Sequence, residues 1–121
     1  MCQFITLLVE DDSLQREVMA DLLKDEGYEV VECATAEAAE LIVATSGAEL
    51  RALITDNALA GSMSGVELAK YARGKYPSMN IIVMSGKQVK QLPARTTFLH
   101  KPFAPALLLQ AVRRGGGALL S

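Results

Sequence analysis

Residues 4–12 read FITLLVEDD, apolar from Phe4 to Val9 except for Thr6 and ending on three carboxylates, Glu10, Asp11 and Asp12. An apolar run without alternation suits a strand covered on both faces, as in a parallel sheet. The residues that follow have a helical period. Asp12 or Ser13 is placed to cap a helix bearing Leu14, Val18, Leu22 and Leu23 on one side, and Gly27 to end it.

Outward from that stretch the pattern repeats. Glu29 to Cys33 reads as a second, less buried strand. Thr35 can cap a helix through Ala38, Ala39, Ile42 and Val43, with Gly47 beyond it. Ala52 to Thr55 is a third strand. Gly61 to Gly65 is a loop, and Val66 to Tyr76 a helix stopped by Pro77. Ile81 to Met84 is a wholly apolar fourth strand, and Phe98 to His100 a short fifth. Pro105 suits the first turn of a last helix bearing Leu107, Leu108, Ala111 and Val112. The stripes Leu14, Val18, Leu22 and Leu107, Leu108, Ala111 are expected in the core. Strand and helix alternating about five times predict an α/β fold, a parallel sheet with helices on both faces.

The composition agrees with one such domain. The chain has 121 residues, half of them hydrophobic, and a net charge of -2, which leaves no electrostatic footprint for nucleic acid. No apolar run approaches a membrane span. The start, MCQFITLL, lacks a basic segment and a cleavage site, so no signal peptide is read there. Cys2 and Cys33 have no metal-like spacing and read as reduced thiols of a cytoplasmic protein. One domain over 1–121 is expected, with 115–121 a frayed tail or the start of a linker.

In open parallel sheets the functional crevice lies at the carboxyl ends of the strands. Strand one ends in Glu10, Asp11 and Asp12, strand three in Asp56, strand four in Ser85 and Gly86, strand five in Lys101 and Pro102. Each residue alone is an ordinary turn or cap residue. Their joint placement brings carboxylates, a hydroxyl and an ammonium to one crevice. Two carboxylates ~4 Å apart repel by about 4 kcal/mol at an effective dielectric near 20. Lys101 offsets part of that, and a divalent cation would offset more. An all-oxygen site with open water positions is what Mg2+ prefers. A carboxylate beside Mg2+ and a lysine can attack phosphorus and form an aspartyl phosphate.

These residues resemble the receiver domains of response regulators in two-component signalling. LLVEDD resembles the family's acidic pair, Glu10 and Asp11. ALITD resembles the strand leading to the phosphoacceptor, here Asp56. IIVMSG resembles the switch hydroxyl, Ser85, and FLHKPF the Lys-Pro-Phe signature with Lys101 as the amine. The resemblance implies the flavodoxin-like strand order 2-1-3-4-5. It implies Mg2+ ligation by Asp11, Asp56 and the backbone carbonyl of Ala58, with Glu10 acting through a water. Lys101 would contact the phosphoryl oxygens, Lys101-Pro102 would be cis, Phe98 would be the aromatic switch, and Ala58 and Lys87 would tune phosphoryl lifetime. The phosphodonor would be a histidine kinase or a histidine phosphotransfer protein. Such a protein is a phosphoswitch rather than an enzyme, since it catalyses only its own phosphorylation and dephosphorylation.

The chain departs from the family pattern in two internal places. The loop NALAGSMSG after Asp56 is one residue longer than usual and lacks its proline. Ser85 and Lys101 are only sixteen apart, so the helix between strands four and five is expected to be short or missing. Other readings are a pseudo-receiver adaptor that binds without phosphorylation, a receiver cut from a hybrid histidine kinase, and an Mg2+-dependent phosphohydrolase. The last would need an acid where Ala58 stands. Flavin or nucleotide binding lacks a Gly-rich loop after strand one. His100, in a strand, is a poor candidate phosphodonor.

Overall fold

A computed structural model describes residues 4–114. The tail 115–121 and Cys2 lie outside the described residues. The strands are β1 (Ile5–Val9), β2 (Glu29–Cys33), β3 (Leu50–Asp56), β4 (Asn80–Ser85) and β5 (Thr96–His100). The helices are α1 (Ser13–Asp25), α2 (Ala36–Ser46), α3 (Gly65–Lys75) and the short α4 (Pro105–Arg114), with a 3-10 turn at Gly47–Glu49. All strands are parallel, in the order β2-β1-β3-β4-β5. This is the expected flavodoxin-like sheet.

Side chains of successive strand residues point to opposite faces, so each buried strand feeds two cores. Leu7, Val9, Leu53, Ile81 and Val83 pack with α2 and α3 residues such as Ala39, Val43, Leu68 and Ala72. Leu8, Ile54, Ile82, Met84 and Leu99 pack on the other face with Met19, Ala20 and Leu23 of α1 and with Leu108, Ala111 and Val112 of α4. Coverage on both faces is why β1, β3 and β4 are apolar almost throughout. The helix starts follow local chemistry. Asp12 accepts a hydrogen bond from the Gln15 amide at the start of α1, and Thr35 from the Ala38 amide at the start of α2. Ser64 and Glu67 form a reciprocal capping box on α3.

The aliphatic stripes need correction. Leu14 (68% exposed), Val18 (60%) and Leu107 (47%) are not core. Helix α1 meets the sheet along Met19, Ala20 and Leu23, a narrower stripe turned from the 14–18–22 line, and Leu22 is only half-buried. Leu14 and Val18 instead flank an open hollow of about 600 Å³ with Gln15, Met19, Lys101, Pro102 and Phe103.

No helix joins β4 to β5, as the short Ser85–Lys101 spacing predicts. Parallel strands usually need a crossover of about a dozen residues or more, and here 86–95 supply ten. Two non-glycine residues in the left-handed region, Gln91 (φ 63°) and Arg95 (φ 59°), let the chain double back. Buried Arg73 of α3 takes over the absent helix's task of holding this segment. Its guanidinium donates to the carbonyls of Ala94 (3.0 Å), Arg95 (3.1 Å), Pro77 (3.0 Å) and Met79 (2.6 Å). Leu92 packs beneath, against the α2–α3 core.

Candidate functional site

Strand pairing delivers the chemistry to one end of the sheet. Glu10 follows β1, Asp56 ends the neighbouring β3, Ser85 ends β4 and Lys101 follows β5. The Lys101 amide continues the ladder by donating to the Ser85 carbonyl at 2.8 Å. The Lys101-Pro102 bond is cis, as expected.

The Lys101 ammonium bridges the carboxylates. It lies 3.1 Å from Glu10 Oε1 and 3.3 Å from Asp56 Oδ2, and donates to Gln15 Oε1 at 2.9 Å. Glu10 is almost fully buried and Asp56 largely so, whereas Asp11 is exposed at the mouth. Glu10 is also held by its backbone: its amide donates to the Cys33 carbonyl, and Arg16 donates to the Glu10 carbonyl at 2.7 Å. Burial pushes the Glu10 carboxyl above its usual range, and the Asp12 amide and Lys101 only partly pull it back. Burial works against the Lys101 ammonium too. Its hydrogen bond to Glu10 and the charges of Asp56 and Glu10 outweigh that and hold its pKa above the ordinary lysine value.

Carboxylate oxygens of Glu10, Asp11 and Asp56 all lie within 4.8 Å of one another. Three carboxylates against one ammonium leave the cluster short of positive charge. Oxygen-only donors with one open side fit a hard divalent cation such as Mg2+.

The other predicted residues lie on β4, on β5 and in the loops that follow β3 and β4. Ser85 is buried, and its hydroxyl accepts from the Lys87 amide at 3.0 Å; the Lys87 side chain is exposed. Phe98 is half-buried on β5, edge-on to exposed His100 with ring centres 6.3 Å apart. Ala58 is exposed in the loop after β3.

Three contributors escaped the sequence reading. Gln15 is the third partner of Lys101; its place one turn after Asp11 was the available signal. Asn57 ties the loop's ends together: its amide donates to the Met84 carbonyl, its carbonyl accepts from Gly65, and its side-chain oxygen accepts from the Val66 amide. An Asn directly after a strand is a recognisable turn former. Glu37 of α2 accepts three hydrogen bonds from the same loop, and no local pattern announces a contact across 25 residues.

The chain belongs to the response regulator receiver domain family, whose family model matches residues 6–113. Its relatives include the response regulator protein FleR of Pseudomonas aeruginosa, 33% identical over 114 residues. That match covers 89% of this chain and 24% of FleR, so the chain spans about a quarter of that relative's length. Among solved structures it is similar to a response regulator receiver protein from Sinorhizobium medicae (TM-score 0.85, 26% identity, 91% of each chain). It is also similar to the receiver domain of the hybrid histidine kinase CckA (TM-score 0.78, 32% identity, 95% of this chain and 99% of that one). The family is one of signalling proteins of two-component systems. No helix among the described residues is long and apolar enough to cross a membrane.

Proposed function

We propose that the chain is a competent, Mg2+-dependent phosphoacceptor that takes its phosphoryl group onto Asp56 from a phosphohistidine. The donor is a sensor histidine kinase or a histidine phosphotransfer protein. The observation that carries this reading is the Lys101 ammonium set between buried Glu10 and Asp56, with the Asp11 carboxylate completing an oxygen cluster.

In the forward step a carboxylate oxygen of Asp56 attacks phosphorus. The P–N bond to the donor imidazole breaks, and that nitrogen is reprotonated from solvent. In the separate dephosphorylation step water attacks phosphorus and the P–O bond to Asp56 breaks, releasing phosphate. Asp11, Asp56 and the Ala58 carbonyl would hold Mg2+, with Glu10 reached through a water. The ion supplies neutralisation of phosphoryl-oxygen charge. Lys101 contributes a second cation on the same oxygens. Ser85 donates its hydroxyl hydrogen to the attached phosphoryl group, and Phe98 turns inward with it. Ala58 and Lys87 flank the phosphoryl group and set how readily water reaches it. The hollow formed by Leu14, Val18, Pro102 and Phe103 adjoins Lys101 and would seat the donor. A single domain over 1–121 acting in the cytoplasm, free-standing or as part of a hybrid kinase, accommodates this role.

The test is intact mass after incubation with acetyl phosphate and Mg2+. One added phosphoryl group, absent from Asp56→Asn and without Mg2+, is expected. Beryllofluoride guards against rapid hydrolysis, through Mg2+-dependent NMR shifts at Asp56, Ser85 and Lys101. No adduct and no shifts would overturn the proposal in favour of a non-phosphorylated adaptor.

A further inference from the structure

We infer that Glu37, on α2 and outside the acidic cluster, is the positioning residue for the loop that carries the Ala58 carbonyl. The inference rests on the metal-dependent reading of the site and assigns that site a residue that sets its geometry.

The loop from Asn57 to Ser64 is anchored firmly at its two ends. Asn57 is tied to β4 and to the start of α3, and Ser64 is locked by its capping box with Glu67. Between them, Ala58, Leu59, Ala60 and Gly61 make no hydrogen bond among those described. Among the described hydrogen bonds, those of Glu37 hold the rest of the loop, at Ser62 and Met63. The Ser62 amide, the Ser62 hydroxyl and the Met63 amide all donate to Glu37 Oε2 at 3.0 Å. The other carboxylate oxygen closes on Gly61, which sits at φ +101°, and a Cβ there would lie 2.8 Å from Oε1. Both oxygens therefore shape the loop, one by accepting hydrogen bonds and one by occupying the space beside a glycine.

The carboxylate is itself prepared for this. Glu37 stands in the first turn of α2, where the amide end of the helix favours a negative charge. Its own backbone amide and the Ser62 hydroxyl hold its pKa below the usual glutamate value. Without the carboxylate, the span from Ala58 to Met63 keeps only the apolar contacts of Leu59 and Met63. The Ala58 carbonyl then samples many directions, and a metal ion must order it on binding. Such ordering lowers apparent affinity by the fraction of time the loop is competent.

Glu37 touches neither the cluster nor a reacting atom, so the prediction is a split between binding and rate. In Glu37→Ala the Mg2+ Kd, followed by NMR titration, should rise at least fivefold. The rate of phosphoryl uptake from acetyl phosphate at saturating Mg2+ should stay within about twofold of wild type. The Ser62 and Met63 amides should lose exchange protection. Gly61→Ala, which crowds the same carboxylate from the loop side, should reproduce the rise in Kd. Kd within twofold of wild type in both variants, with the Ser62 and Met63 amides unprotected, would overturn the inference and leave Glu37 a plain structural tie. Wild-type protein that binds no Mg2+ at all would instead remove the metal reading, and this inference with it.

Discussion

Two glycines of α3 should respond in opposite directions to the same substitution. Gly65 opens the helix directly beneath Asp56. A Cβ on it would overlap the Asp56 carbonyl oxygen and lie 2.8 Å from Asn57 Cα. Both are backbone atoms, and the Gly65 amide is also hydrogen-bonded to the Asn57 carbonyl at 3.0 Å, so no side chain can yield. Overpacking of this kind costs about 1–3 kcal/mol, and rigid backbone on both sides argues for the upper end. Gly74, one residue before the end of the same helix, has nothing within 4 Å of its Cβ position. Alanine there removes unfolded-state freedom without strain and stabilises by about 0.4–1 kcal/mol. For a chain of 121 residues, unfolding entropy near 2.1 cal/mol/K per residue converts each kcal/mol to about 4 °C. Gly65→Ala should therefore lower Tm by about 8–12 °C, and Gly74→Ala raise it by about 2–4 °C. Urea denaturation with an unchanged m-value would show that only stability moved. Gly65→Ala should also slow phosphoryl uptake, because relief of the overlap displaces Asp56. A Gly65→Ala protein with wild-type Tm would refute the claim that this close approach fixes the position of Asp56.

Other consequences can be measured in the same protein. Removing the Arg73 guanidinium takes a donor from four carbonyls, of which Pro77 keeps Arg95, so Arg73→Ala should lose on the order of 3 kcal/mol in urea denaturation. Arg73→Lys should not restore it, because an ammonium cannot span the same planar fork of acceptors. The Gln15 amide's hydrogen bond holds the Asp12 carboxyl below its ordinary value of 3.8. The folded-state pKa being depressed, its contribution is present above 3.8 and is lost as pH falls through the folded value. Asparagine caps equally well without titrating. Asp12→Asn should therefore match wild type near neutrality and lose less stability on acidification; identical urea midpoints against pH would contradict this. Mg2+ at about ten times its Kd should stabilise the protein by about 1.4 kcal/mol. Asp11→Asn should abolish most of that shift in thermal melts, and an undiminished shift would place the ion elsewhere.

What could be read in advance follows from where the physics is local. Strands covered on both faces must be apolar, so β1, β3 and β4 declare themselves, and the first polar residue after each marks the crevice. That is why Glu10, Asp11, Asp56, Ser85 and Lys101 could be named before any geometry was known. The missing helix was legible as arithmetic, since the sixteen-residue step from Ser85 to Lys101 must also contain β5 and leaves ten residues, too few for a helix and two turns. The buried face of α1 was not, because Leu14, Val18, Leu22 and Met19, Leu23 are both regular lines on one helix. Only the sheet beneath decides between them. Glu37 was hidden for a related reason: its partners are tertiary, and an acid in a first turn already has a sufficient local explanation. One global signal went unread. All 14 acidic residues lie at or before Glu67, and nine of the 12 basic ones after it. In the order β2-β1-β3-β4-β5 that partition becomes spatial, with carboxylates delivered by β1 and β3 and the ammonium by the segment after β5. The site therefore lies on the seam between an acidic half of the chain and a basic one. Neither half is electrostatically complete without the other, and the ammonium that Glu10 and Asp56 share arrives only when β5 docks against β4.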